Sequence, residues 1–287
     1  MTIRTILVAV DGTDPSQQAL KVGFAMGRSM VSHVDVLHVR ADPKDTVPLL
    51  GEGMSVAMIE DMMDVAEREG ADRATQARAV FDQAVKDFSA TVSHQPGGEG
   101  FSVNWIEETG REDDAVAMHG RLADLIVAPR PTETSDVSAN LALNAALFET
   151  GRPVLVVPPT GGESAGKNVV ISWNGSAQSA RAVISAMPIL KQSETVTVFT
   201  VDSERTSGER APELATYLGW HGITCDTHTL SGPAPSVGPK LMEEVAGVGA
   251  DLLVMGAYTH SRMRQLILGG VTRHVLETAE IPVIMAH

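Results

Sequence analysis

The feature that most constrains the fold of this chain is that it repeats itself. Ile6-Leu7-Val8-Ala9-Val10-Asp11-Gly12-Thr13 resembles Val169-Val170-Ile171-Ser172-Trp173-Asn174-Gly175-Ser176, with Asp11 and Asn174 163 positions apart. Ala123-Asp124-Leu125-Ile126-Val127-Ala128 matches Ala250-Asp251-Leu252-Leu253-Val254-Met255 at an offset of 127. Pro153-Val154-Leu155-Val156-Val157 matches Pro282-Val283-Ile284-Met285-Ala286 at an offset of 129. All three matches come in the same order. A solenoid would need more copies at a shorter period, so two tandem domains are expected. The length of 287 residues agrees, since a domain typically holds roughly 100–200. Pro158-Pro159-Thr160-Gly161-Gly162-Glu163-Ser164-Ala165-Gly166 reads as the joint, which sets the domains at 1–159 and 167–287.

Each copy alternates short continuous Val, Ile and Leu runs with helical segments. Such runs suggest strands buried on both faces, as in parallel sheets. They place strands near 4–10, 33–39, 101–107, 124–128 and 153–157, then near 168–173, 195–201, 223–229, 251–256 and 282–286. A helix is expected near 137–150. Met263, Ile267, Val271 and Val275 form an i+4 ladder that predicts another over 262–280. The fold class is therefore α/β: two tandem Rossmann-like domains, each a mostly parallel five-stranded sheet with helices on both faces.

Charge narrows the partners. Thirty-six acidic side chains against 22 basic ones leave a net charge of −14. That balance disfavours nucleic acid or an anionic membrane surface as the main partner. Cys225 is the single cysteine, which excludes an internal disulfide framework and a cysteine-rich zinc site. The apolar run after Met1 is too short for a signal peptide, and no run approaches the roughly 20 apolar residues of a membrane helix. A cytoplasmic protein is expected.

The first copy carries its extra residues within 42–97. The stretch from Met54 to Phe88, rich in Met, Ala, Glu and Asp, should be helical, with Gly70 a candidate break. Met54, Met58 and Met62 recur every fourth residue. They fit either a crossover helix packed on the sheet or a Met-lined docking surface, since Met adapts to varied partners. Ser93 to Gly100 reads as a loop.

In an open α/β sheet, ligands bind outside the carboxyl ends of the strands, at the switch in strand order. Two segments of the second copy should end there. One is Ser172-Trp173-Asn174-Gly175-Ser176; the other is Met255-Gly256-Ala257-Tyr258-Thr259-His260-Ser261-Arg262, which leads into Leu268-Gly269-Gly270-Val271-Thr272. Glycine lets backbone N–H groups approach an anion, and a helix beginning near Gly270 would aim amides and positive dipole at a phosphate. His260, Arg262 and Arg264 could add charge. The competing reading is a glycine pair that only permits close helix–sheet packing. Asn174-Gly175-Ser176 likewise reads as a plain turn and helix cap.

On these residues the second copy resembles the universal stress protein family, and the whole chain resembles its tandem form. Nucleotide-binding members carry Gly, two residues, Gly, nine residues, Gly, then Ser or Thr. Here the spacing is Gly256, two residues, Thr259, nine residues, Gly269, Gly270. Thr259 stands for the second glycine and Gly270 for the hydroxyl residue, with Thr272 close by. Members usually hold adenine and ribose with an Asp after the first strand. Asp11 keeps it in the first copy, and Asn174 replaces it in the second.

The resemblance implies that ATP or a related adenine nucleotide, with or without Mg2+, binds the second copy. The implied contacts are Ser172, Trp173, Asn174, Val201, Gly256, Thr259, Gly269, Gly270, Val271 and Thr272. It also implies a regulatory role in stress response. The two copies would pair as an internal pseudo-dimer through last strands around Val154–Val157 and Val283–Met285, and a homodimer stays open. The first copy has Ala128-Pro129-Arg130-Pro131 where the loop would be, and prolines lack amide donors. It is expected to hold no nucleotide.

Other constellations are weaker. His221, Cys225 and His228 hint at a metal, but the spacing from 225 to 228 puts those two on opposite faces of a strand. No Gly-Lys-Ser/Thr phosphate loop, His-Glu-x-x-His or Gly-x-Gly-x-x-Gly occurs. No general base stands beside the candidate phosphate site, so efficient hydrolysis is not expected. The rival classes are a nucleotide-free interaction module and a slow ATPase.

Overall fold

A computed structural model describes residues 2–43, 55–96, 100–132, 135–161, 165–202, 210–231, 237–257 and 270–287. The first half runs β1 (Thr5–Ala9), α1 (Asp14–Met30), β2 (His33–Arg40), α2 (Val56–Asp87), β3 (Thr91–Val92), β4 (Ser102–Thr109), α3 (Glu112–Gly120), β5 (Leu125–Pro129), α4 (Val137–Glu149) and β6 (Val154–Val157). The second runs β7 (Asn168–Trp173), α5 (Ala177–Leu190), β8 (Thr195–Asp202), α6 (Arg210–Trp220), β9 (Asp226–Ser231), α7 (Val237–Gly247), β10 (Leu252–Gly256), α8 (Gly270–Thr278) and β11 (Val283–Ala286).

The strands form one sheet of order β3-β4-β2-β1-β5-β6-β11-β10-β7-β8-β9. Reading outward from its centre, each half shows the same doubly wound arrangement, with β1 between β2 and β5 in the first half and β7 between β8 and β10 in the second. Pairing within each half is parallel. At the centre β6 and β11 pair antiparallel, with Val283 opposite Val156, Ile284 opposite Leu155 and Met285 opposite Val154. The two five-stranded sheets expected from sequence are thus continuous. The short β3 adds a sixth strand to the first half.

Alternation along buried strands explains the layering. Ile6 and Val8 of β1 point into one core, with Phe24 of α1, Phe81 of α2, Val183 of α5 and Leu218 of α6. Leu7 and Ala9 point into the other, with Val116 of α3, Leu147 of α4, Leu241 of α7 and Val275 of α8. Strands apolar on both sides need helices on both sides to cover them.

Two expectations are corrected. Helix α2 is continuous through Gly70. A glycine inside a helix costs about 1 kcal/mol relative to Ala. Ser55 offsets part of this by accepting from the Met58 N–H, and the Arg78–Asp82 pair and the buried C-terminal third offset the rest. The strand expected at 223–229 lies at Asp226–Ser231, so Cys225 sits just before it. Of the helix expected over 262–280, α8 covers Gly270–Thr278, and residues 262–269 lie outside the described residues.

Candidate functional site

The switch in strand order falls between β7 and β10 in the second half, and between β1 and β5 in the first. In the second half, Ser172 sits opposite Met255 and Trp173 opposite Thr200. Val201 lies opposite Leu230 near the end of β8, and Gly256 closes β10. Ser172, Trp173, Val201 and Gly256 therefore share the carboxyl edge of three adjacent strands. The Trp173 ring packs toward the α5–α6 core, and its buried Nε1 has no partner.

The chain turns from β7 into α5 by local chemistry. Asn174 is exposed and its Oδ1 accepts from the Ser176 N–H at 3.1 Å. Gly175 takes φ +69, a left-handed conformation natural to glycine. Ser176 Oγ then accepts from the Ser179 N–H at 3.1 Å, capping α5. The Asn174 carbonyl oxygen is thus committed to its own turn, which leaves the Asn174 amide as the group that faces outward.

Gly256 meets the start of the same helix. A Cβ there would lie 2.5 Å from the Ser179 nitrogen and 2.8 Å from the Gln178 carbonyl carbon. Packing alone demands glycine at this position. Gly270 differs: among the described residues nothing lies within 4 Å of where its Cβ would be. Thr272 is buried and Val271 is half-buried on α8, whose Val275 packs with Met255 and Met285. Thr259 and Gly269 lie outside the described residues, as do His260, Arg262 and Arg264.

The matching place in the first half is built differently. Asp11 Oδ1 accepts from the Thr13 N–H at 2.8 Å and from Thr13 Oγ1 at 2.6 Å. Gly12, at φ +88, lies directly under α2: a Cβ would stand 3.2 Å from both the Ala77 nitrogen and the Arg73 carbonyl oxygen. Arg73 in turn donates to Asp136, at the start of α4, at 2.8 Å. The cavity left beside Asp11, Glu112 and Leu143 measures about 20 Å³. Small-molecule sites usually span about 300–1,000 Å³. Burial, then the Asp11 charge, pushes the Glu112 carboxyl up to about 7, against a lowering hydrogen bond from Ser138. A cramped, carboxylate-lined crevice under a helix is a poor home for phosphates.

The turn and helix cap read at Asn174-Gly175-Ser176 are present as read. Sequence reasoning missed three residues that shape these two places. Arg73 and Glu112 carry no motif. Arg130, read only as part of a proline-broken loop, donates from Nη1 to the Leu276 carbonyl of α8 at 3.3 Å.

The possible metal trio does not converge. His221 stacks edgewise on Tyr217 and His228 leans on Phe199, with ring centroids 4.8 and 5.5 Å apart. Among the described residues no three His, Cys, Asp or Glu side chains come together. No described helix is long and apolar enough to cross a membrane.

Comparison with known proteins agrees with this architecture. The universal stress protein family model matches residues 2–130 and 214–287. Universal stress protein Slr1230 of Synechocystis sp. is 25% identical over 296 positions, covering 98% of this chain and 99% of that protein. A universal stress protein structure from Archaeoglobus fulgidus superposes with a TM-score of 0.69 at 14% identity, over 98% of this chain and 97% of that one. A putative universal stress protein from Pseudomonas aeruginosa gives 0.60 at 15% identity, over 99% and 93%. The two solved structures speak to the fold. The family match spans more than half of the chain, and the chain belongs to the universal stress protein family.

Proposed function

We propose that the half formed by residues 167–287 binds ATP or a related adenine nucleotide, and that the half formed by residues 1–159 is its nucleotide-free partner. The observation that carries this reading is the contrast at the two switch points. The second half opens α8 with exposed Gly270, where no described residue lies within 4 Å of a would-be Cβ. The first half lays α2 over the turn after its first strand and sets two carboxyl groups beside it.

Adenine and ribose would lie along Ser172, Trp173, Asn174 and Val201. Asn174 offers a donor where Asp would offer only acceptors, and it adds no charge to repel phosphates. The phosphates would meet backbone amides of the loop that includes Thr259 and Gly269 and of the first turn of α8. Gly256, Gly270, Val271 and Thr272 would frame that loop. Magnesium, where present, would travel with the phosphates. Function is then regulatory and cytoplasmic: occupancy changes stability or partner docking.

The test is to denature freshly purified protein and identify released nucleotides by chromatography and mass spectrometry. About one adenine nucleotide per chain is expected. Gly270→Val should empty the site without unfolding the chain, because the new side chain points into open space. No released nucleotide, together with no heat on adding ATP and magnesium, overturns the reading.

A further inference from the structure

Helix α2 is far longer than its packing requires. Its buried side chains, Ala77, Phe81 and Ala84, all lie in its C-terminal third. Among the described side chains of residues 57–76 none is buried. At 1.5 Å per residue these turns form about 30 Å of helix whose inner face, Ile59, Met63, Ala66 and Ala74, is only half-buried. An isolated helix of that length is marginal in water, and most helices owe their stability to a packed apolar face.

Such a face exists here and is uncovered. Met58, Met62 and Val65, at i, i+4 and i+7, are 54%, 40% and 54% exposed. This spacing places them in one stripe. Exposed Asp61 and Asp64 border one edge, and exposed Glu69 and Asp72 continue the stripe toward the body of the protein. Over residues 57–76 six carboxylates stand against two guanidiniums. One of the two, Arg73, is drawn to Asp136.

We infer that the stripe Met58–Met62–Val65 is a docking surface for a basic amphipathic helix of another protein. An apolar face bordered by lysines or arginines would bury the methionines and pair with the acidic edge. Met suits the task because its flexible thioether side chain adapts to different partner shapes. Helix-in-groove recognition uses anchors at this same i, i+4, i+7 spacing. A second copy of this chain would set the acidic edge against itself, and an anionic lipid surface would meet the same repulsion. The surface lies apart from the carboxyl edge of β7, β8 and β10, so it stands whether or not nucleotide binds there.

The experiment uses the full chain and a fluorescently labelled synthetic peptide of leucines and lysines patterned as an amphipathic helix. The control peptide keeps the leucines and replaces lysine with glutamate. Anisotropy should rise with the lysine peptide and not with the glutamate one. The triple variant Met58→Gln, Met62→Gln, Val65→Gln should weaken binding on the order of tenfold while its circular dichroism and melting stay unchanged. Asp61→Lys with Glu69→Lys should weaken it as well, most at low salt.

Absence of binding overturns the proposal, as does binding that the triple variant leaves intact. Sedimentation showing a dimer that the triple variant dissolves would make a second copy the occupant and overturn it too. Binding that appears only after residues 44–54 are deleted would assign the surface to the chain's own segment.

Discussion

The guanidinium of Arg130 donates from Nη1 to the carbonyl oxygen of Leu276 at 3.3 Å, across 146 residues of sequence. It ties the loop after β5, in the first half, to the last turn of α8, in the second. Carbonyls there have no donor within the helix, and a cation at this end also meets the negative pole of the helix dipole. The loop itself is held: the Arg130 N–H donates to Val157 at 2.7 Å. Glu280 adds an attractive charge. Arg130→Met should cost about 1–2 kcal/mol, read as a lower urea midpoint, with Arg130→Lys intermediate. Amide exchange in α8 should quicken in the Met variant. Unchanged exchange there would mean that Arg130 does not hold the helix.

The carboxyl of Glu112 makes stability depend on pH in an unusual direction. Its ordinary ionisation near 4.5 is raised to about 7 by burial first and by Asp11 next. Between those values the folded protein keeps a proton that the unfolded chain gives up. Stability from this group is therefore complete below the unfolded value and lost as pH rises through about 7. Glu112→Gln stays neutral throughout. The variant should gain roughly 1–3 kcal/mol over the parent at about pH 8, and the difference should vanish in mild acid. Thermal melts of both proteins across that range decide the matter; parallel curves would refute it.

Sequence made the fold legible because its signals were local or repeated. The Val/Ile/Leu runs marked ten of the eleven strands among the described residues, and the two-residue β3 was too short to leave a pattern. The copy-to-copy match at Pro153 and Pro282 marked β6 and β11, while the expectation that they meet came from the family resemblance. The candidate site was half legible. Ser172, Asn174 and Gly256 stand at the strand ends where their motifs put them. Arg130 reaching Leu276, and α2 lying over Gly12, are contacts between distant segments, and no local pattern encodes them. Gly70 misled because glycine's cost inside a helix is small when other contacts hold the helix.

Gly256 and Gly270 look alike in sequence but should behave oppositely on substitution. Gly256→Ala would push a methyl to within 2.5 Å of a backbone nitrogen, and only movement of β10 or α5 relieves it. Overpacking of this kind typically costs about 1–3 kcal/mol. Gly270→Ala meets open space and supplies a better helix former, so it should leave stability unchanged or raise it by up to about 1 kcal/mol. Denaturant titration of the two variants side by side separates the packing glycine from the glycine proposed to face a ligand. Equal losses at both would erase the distinction on which the nucleotide site rests.

One helix should show two stabilities. Phe81 of α2 is buried and meets Phe24 edge-to-face at 6.3 Å between ring centroids and Trp105 at 5.2 Å. Phe81→Ala removes that ring from a closed core and should cost about 3–5 kcal/mol. Met62, five turns earlier, is exposed, and Met62→Ala should stay within about 0.5 kcal/mol of the parent. Hydrogen exchange should follow the same gradient. Amides near Phe81 should exchange through global unfolding, while those near Met62 exchange through local fraying at far lower cost. A partner seated on the Met58–Val65 face would slow exchange at the free end and leave the Phe81 end as it was. Uniform protection along α2 in the isolated chain would show that something in the chain already covers that face.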